Sequence, residues 1–470
     1  MKLDFLIIGG YTEGGLDLTI NLLNSFERLG YRAGVLCNNS LMHAALSDAH
    51  KTTFDLAAAV RRASSSAPPP ALVLDMEKKY GLSNMRQFCW PESRYLLVPP
   101  ECLFQRAVST FAAAEQFFGE HVIGCCVAAP GGEIAVRCAF AVAKSLNIPT
   151  IYFGSELGHF CGRMFLHSDE DNRPEDLLLL SANQLTDEDW QFIEQQMHQL
   201  RQTRPVISYR SVDLDSRPHG GRVRSLWCSV RLREWSRLRY TLNLFGQYRV
   251  IVPARGCVAR AYYGRFDPTK RYVYFPLHQN NDAQITVRNP HFYQQDWLVE
   301  YLARSVPQEY LLYVKGHPGC AAFPISTLRR LAAIPNVRLL APSVNSHEII
   351  EHAAAVAIIN SSVGVEALVH CKPVVVLGKW FCRGLGVTFD VPELGNLASV
   401  MRNAIDARGV DKRAVQVVLY SLWKAMYSGQ LYSSAPDYDT VASSVARKAA
   451  LLRECCLKHE GHGASTCGQD

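Results

Sequence analysis

Short, wholly apolar runs alternate along this chain with longer stretches whose apolar residues recur every three or four positions, and the alternation occurs twice. In the first half, Leu3–Ile8, Gly34–Cys37, Ala71–Leu74, Tyr95–Val98, Val122–Val127 and Thr150–Phe153 read as strands. Leu16–Leu29 and Ile134–Leu146 carry helical spacing. In the second half, strands at Tyr272–Leu277, Tyr310–Val314, Val337–Leu340, Ala355–Ile359 and Pro373–Leu377 alternate with helices. Those helices are Gln294–Ser305, Ile325–Ala333, Ser346–Ala353, Val363–His370 and Asn396–Arg408. Strand–helix alternation with apolar runs predicts parallel sheets covered on both faces, hence an α/β fold.

The chain divides into an N-terminal α/β unit (1–167), a helical and basic linker (168–245), a second α/β unit (246–410) and C-terminal helices with a tail (411–470). Within the linker Arg231–Leu244 reads as helical. The tail is expected to stay helical to about Leu457 and to fray from His459. A length of 470 residues agrees with two cores rather than one. Two such units joined by a charged linker suggest an enzyme with a cleft.

Charge changes this picture in one place. Residues 201–271 hold sixteen Arg and Lys against four acids, whereas the whole chain carries only +6. Such a block suits anionic lipid or polysaccharide, or else is a solvated linker face. No nucleic-acid motif accompanies it, so nucleic acid ranks last. The fifteen cysteines are scattered without metal-ligand spacing, so reduced, buried thiols and no metal are expected. No apolar run is long enough to span a bilayer, and Leu3–Ile8 is too short for a secretory signal. A cytoplasmic protein is expected.

Candidate chemistry gathers at strand ends of the second unit. Lys315, His317 and Pro318 follow one strand. The imidazole could donate to a phosphate oxygen and, if protonated, neutralise its charge; Lys315 either points to the same mouth or caps the strand. After another strand, Asn360-Ser361-Ser362 opens a helix, as an ordinary cap or as a seat for an anion. Gly364 would let a ligand approach the backbone. Glu366, one step past capping-box spacing, would be open to ribose or sugar hydroxyls. The loop Phe275–Gln284 presents His278 and Asp282. The carboxylate either forms a local turn or acts as base, nucleophile or stabiliser of a cationic centre. In the first unit, Glu133 follows Pro130-Gly131-Gly132 at a strand-to-helix junction, as a dipole partner or a general base. The loop Gly9–Gly15 lacks the Gly-x-Gly-x-x-Gly pattern, which disfavours NAD.

Lys315-Gly316-His317-Pro318, Asn360 to Leu368 and Lys372 to Gly378 resemble the bacterial capsule polysaccharide biosynthesis family, which includes β-Kdo transferases. Phe275-Pro276-Leu277-His278 with Asp282, and Gly131-Gly132-Glu133, resemble further stations of that pattern. The resemblance covers roughly 270–390, more faintly 120–165, and neither the basic segment nor the tail. His278 stands where the family carries Gln, and Trp380-Phe381-Cys382 where a Tyr-containing stretch is commoner. The resemblance implies a GT-B fold, two Rossmann-like domains facing a cleft. The C-terminal domain would hold a nucleotide-sugar donor, such as CMP-Kdo, and the N-terminal domain a glycan or lipid-linked acceptor. His317, Ser361 and Ser362 would hold the donor phosphate, Glu366 would lie by the nucleotide, Asp282 near the anomeric carbon, and Glu133 would be the acid/base. No cofactor and no metal enter this scheme, since imidazole and hydroxyls offset the phosphate charge. The basic segment would hold the enzyme at the inner face of an anionic membrane. Two alternatives stay open: a polyol-phosphate transferase, and a non-catalytic partner in capsule assembly or export.

Overall fold

The computed structural model describes residues 1–9, 15–62, 68–154, 162–170, 174–203, 242, 246, 252–280, 282–317, 323–431 and 436–463. Most of the basic block, including most of Arg231–Leu244, lies outside the described residues, as do Pro318 and the loop Gly10–Gly14.

The first unit contains β1 (Lys2–Leu3), β2 (Phe5–Gly9), β3 (Ala33–Cys37), β4 (Thr53–Asp55), β5 (Val122–Ile123), β6 (Cys126–Ala128), β7 (Thr150–Gly154) and β8 (Arg163–His167). The second contains β9 (Tyr272–Pro276), β10 (Leu311–Lys315), β11 (Val337–Leu340), β12 (Ala355–Ile358), β13 (Val374–Val376) and β14 (Phe389–Asp390), and the chain then adds β15 (Tyr427–Ser428). The sheet orders are β15-β8-β7-β6-β2-β3-β4 and β11-β10-β9-β12-β13-β14. In each, the chain starts centrally, winds outward to one edge, then crosses to the other side. Pairing is parallel throughout the second sheet and from β7 to β4 in the first. Both units are therefore doubly wound in the Rossmann manner, the pair of domains that a GT-B fold requires. Each has a crevice at its reversal point, between β2 and β6 and between β9 and β12.

The central strands read clearly because they are buried on both faces. β9, β12 and β13 are buried at every position. Tyr272, Tyr274 and Tyr313 pack on one face, Val273, Phe275 and Val314 on the other. The tyrosine hydroxyls find partners at the core edge, as Tyr272 does at the Ile349 carbonyl, 2.6 Å away.

Two expected strands are helices. Ala71–Leu74 lies in the helix Pro70–Lys79, where proline occupies the first turn, Val73 is buried and its neighbours Leu72 and Leu74 face outward. Tyr95 and Leu96 end the helix Met85–Leu96, which Asn84 caps by accepting the Gln87 N–H at 2.6 Å. A four-residue apolar run fits either structure, and here the flanking polar residues continue the helix.

Residues 411–463 fold back onto both units. β15 pairs antiparallel with β8, so the return segment completes the first sheet. The helix Tyr438–Gly463 packs on Gly15–Arg28, joined by Arg28 and Asp439 at 2.6 Å. Its Lys448 is buried and paired with Glu175 at 3.0 Å and Asp176 at 2.7 Å. The second unit also touches the linker, where Arg288 Nε donates to the Glu170 carbonyl at 2.8 Å, and the first unit, where Trp90 meets Tyr293 edge-on. Among the described residues no helix is long and apolar enough to cross a membrane.

Candidate functional site

The strand alternation in β10 sends Val314 to one face and Lys315 to the other. Lys315 is buried, and its ammonium donates to Ser346 Oγ at 2.9 Å, at the start of the helix Ser346–His352. Glu366, in the helix Val363–Val369, faces the same group, with His347 Nε2 3.7 Å from its carboxylate. Burial pushes Glu366 up to about 7, opposed by Lys315, and pushes Lys315 below the usual lysine range, opposed by Glu366. Glu366 is thus already engaged by Lys315 and His347, and Lys315 does more than cap its strand.

Beyond Lys315 the backbone brings His317 beside His278, two residues beyond β9. Both imidazoles line a pocket at the ends of β9, β10 and β11, whose walls include Leu277, Val314 and Leu339. Gln295 fixes the His278 backbone from both sides, accepting its N–H at 2.7 Å and donating to its carbonyl at 3.1 Å. His278 Nε2 is buried without a hydrogen-bond partner. Burial depresses His278 to about 4; His317 is also depressed to about 4, by burial first, with Asp282 opposing and His278 and Lys315 adding. His317 is therefore neutral at pH 7 and carries one N–H donor; the positive charge allowed by the sequence is absent in this state.

A histidine whose folded-state pKa lies below its unfolded value stabilises the fold above about pH 6.5, and that stability is lost as pH falls toward 4. His278→Gln, which replaces the imidazole with a neutral amide, is expected to fold and to flatten this loss. Melting temperatures at pH 7 and pH 4.5 should differ less in the variant, by up to about 3 kcal/mol in stability. An unchanged difference would refute the assignment.

Asp282 makes the local turn that the sequence allowed. It caps the short helix Ala283–Thr286, its carboxylate accepting the Gln284 N–H at 2.9 Å, and its charge reaches His317. Across the crevice between β9 and β12, Asn360 donates to the Gln284 side chain at 2.8 Å and carbonyl at 3.2 Å, while its own Oδ1 is buried without a partner. Ser361 Oγ accepts the Val363 N–H at 3.3 Å. Ser362 occupies the cap position but its side chain makes no capping bond. The Gly364 N–H bonds the Ser361 carbonyl at 3.0 Å. Gly364 is not a point of ligand approach: a Cβ there would lie 2.6 Å from Ile358 Cδ1 and from two atoms of the Trp380 ring. The glycine serves helix-to-core packing directly beneath the serines.

Glu133 stands at the matching crevice of the first unit, between β6 and the helix Ile134–Ser145. Its carboxylate folds back against Gly131. Burial raises its pKa, opposed by its own backbone N–H and by Arg106. Sequence reading missed its neighbours. Glu92 accepts the Ile134 N–H at 2.6 Å and is paired with Arg106, yet both lie in helices without a motif. The signal was a glutamate among the apolar residues Phe88, Cys89 and Leu96 that the helix buries. The helix holding Glu92 packs on the one capped by Asp282, so the two expected carboxylates, Glu133 and Asp282, flank one junction between the units. His317, Ser361 and Ser362 all belong to the C-terminal side of it. Among the described residues no three His, Cys, Asp or Glu side chains gather as a metal site.

Residues 252–408 match the family model described as "Capsule polysaccharide biosynthesis protein". The resemblance read from Lys315–Pro318 and Asn360–Leu368 therefore stands over the second unit. The chain is also 30% identical over 129 residues to the "Capsule polysaccharide export protein KpsS" of Escherichia coli, a match spanning 26% of this chain and 33% of that protein. Among solved structures, the KpsC β-Kdo 2,4 transferase of Thermosulfurimonas dismutans aligns with a TM-score of 0.39 at 15% identity, over 71% of this chain and 93% of that one. Anabaena Alr3699/HepE in complex with UDP-glucose aligns with a TM-score of 0.32 at 12% identity, over 96% and 100%. Fold class here rests on the two sheet orders, and family resemblance on residues 252–408.

Proposed function

We propose that this chain is a glycosyltransferase of capsule or surface polysaccharide assembly, moving a sugar from a nucleotide-activated donor, CMP-Kdo being the favoured one, to a glycan or lipid-linked acceptor. The observation that carries this reading is the convergence of His278, His317, Asp282, Asn360, Ser361 and Ser362 on the carboxyl ends of β9, β10 and β12. That is where a doubly wound sheet binds a nucleotide. In this reading the acceptor hydroxyl gives its proton to Glu133 as its oxygen bonds the anomeric carbon. The bond from that carbon to the phosphate oxygen breaks, and its electron pair leaves with the nucleotide. His317 N–H and the serine hydroxyls hold the departing phosphate, and Asp282 stabilises the positive charge that develops at the anomeric carbon. The basic segment would keep the protein near an anionic membrane face.

A panel of CMP-, UDP-, GDP- and CDP-activated compounds tests it, because a ligand of the folded state raises the melting temperature. A rise of a few degrees with one nucleotide class, followed by transfer of its labelled sugar, is expected. No rise with any of them would defeat the proposal, and transfer of a polyol phosphate would replace it. The name of the Escherichia coli relative favours one second reading, a non-catalytic export partner. That reading gains if His317→Ala and Asp282→Ala fold and leave polymer synthesis intact.

A further inference from the structure

The helix Ile134–Ser145 is capped from outside itself. Glu133 occupies its cap position, yet the Glu133 side chain makes no capping bond. The acceptor comes instead from Glu92, 1% exposed in the helix Met85–Leu96, whose Oε2 takes the Ile134 N–H at 2.6 Å. Its other oxygen is paired with Arg106 of the helix Phe104–Glu120. Three helices meet at this one carboxylate, and the residue adjoining the bonded N–H is Glu133.

We propose that Glu92 is a positioning residue for Glu133: it caps the helix in that residue's place, draws Arg106 alongside, and so leaves the Glu133 carboxyl available for proton transfer in a defined field. The inference rests on the acid/base role proposed for Glu133. Other titratable and charged groups face this corner. Cys89 comes from the helix of Glu92, Arg137 and Cys138 from the helix beyond Glu133, and Glu101 from the turn Pro100–Leu103. The short helix capped by Asp282 packs against the opposite side, with Arg288 following it. Burial pushes Cys89 up to about 12 and Cys138 well above the thiol range, so both stay neutral. Burial raises the Glu92 carboxyl, with the Ile134 N–H opposing and the Glu133 charge adding, yet both its oxygens accept N–H bonds, from Ile134 and from Arg106, which is the pattern of an ionised carboxylate.

The test is the pH profile of kcat/KM for sugar transfer. Glu92→Gln keeps an acceptor for the Ile134 N–H but removes a negative charge, and Arg106→Gln removes a positive one. The acidic midpoint, where the base ionises, should fall in Glu92→Gln and rise in Arg106→Gln, each by about one unit or more. A purely structural ion pair would not move the two variants in opposite directions. Unshifted midpoints, or shifts of the same sign, overturn the inference. If Glu92→Gln fails to fold, Arg106→Gln decides alone, and a midpoint that does not rise overturns it. Glu133→Gln separates the two levels. Retained transfer there defeats the acid/base reading itself, whereas an inactive Glu133→Gln with unshifted profiles defeats only the role of Glu92.

Discussion

His317→Ala is expected to lower sugar transfer by about a hundredfold to a thousandfold, the usual cost of deleting one preorganised donor aimed at developing charge. His317 is the imidazole at the mouth of β10, lining a pocket with His278 and facing Asp282. In the proposed reaction, because burial keeps it neutral, its contribution would come from a directed N–H that strengthens as the phosphate oxygen gains charge. The loss should therefore fall mainly on kcat, with a smaller change in KM. His317→Gln, which keeps an N–H donor at similar reach, should recover part of it. Steady-state kinetics of both variants, with melting curves to confirm folding, make the comparison. A loss below threefold in the alanine variant would remove His317 from the phosphate site.

Gly364→Ala is expected to destabilise the protein by about 1–3 kcal/mol, a large effect for one added methyl group. The new Cβ would sit 2.6 Å from Ile358 Cδ1 and 2.6 Å from Cη2 and Cζ2 of Trp380, both buried. The helix Val363–Val369 would have to lift from β12, carrying Ser361 and Ser362 with it, so transfer should fall as well. Trp380→Phe removes the two ring atoms in question. The double variant Gly364→Ala/Trp380→Phe should then be less destabilised than the sum of its parts, by about 0.5 kcal/mol or more. Urea denaturation of the four proteins measures that coupling. Strict additivity would show that the contact is not what glycine is needed for.

The second unit was legible because its strands are short, apolar on both faces and bounded by turn residues, so β9 to β13 could be placed within a residue or two at most ends. The first unit was less so. Ala71–Leu74 and Tyr95–Val98 satisfy a strand pattern locally, and only their packing makes them helical. The antiparallel strands β8 and β15 carry no alternation strong enough to announce their addition to a parallel sheet. At the site, His317 and the serine pair were readable because polar residues directly after buried strands have few structural explanations. Ser346, His347, Glu92 and Arg106 were not, since each lies within a helix where its neighbours give no hint of what it faces. Gly364 was read in the wrong direction: glycine near a possible ligand suggested access, while the space it vacates is filled by Trp380.

The strand Tyr427–Ser428 finishes a sheet that begins at Phe5, and the helix Tyr438–Gly463 covers Gly15–Arg28, with an entire second domain spelled out between. During synthesis the opening domain must wait, its β8 edge and the flank of Gly15–Arg28 uncovered, until the ribosome has delivered more than four hundred residues. A pulse-labelled nascent chain halted before Tyr427 should accordingly be cut by protease within its earliest third, while the later domain, already whole, resists.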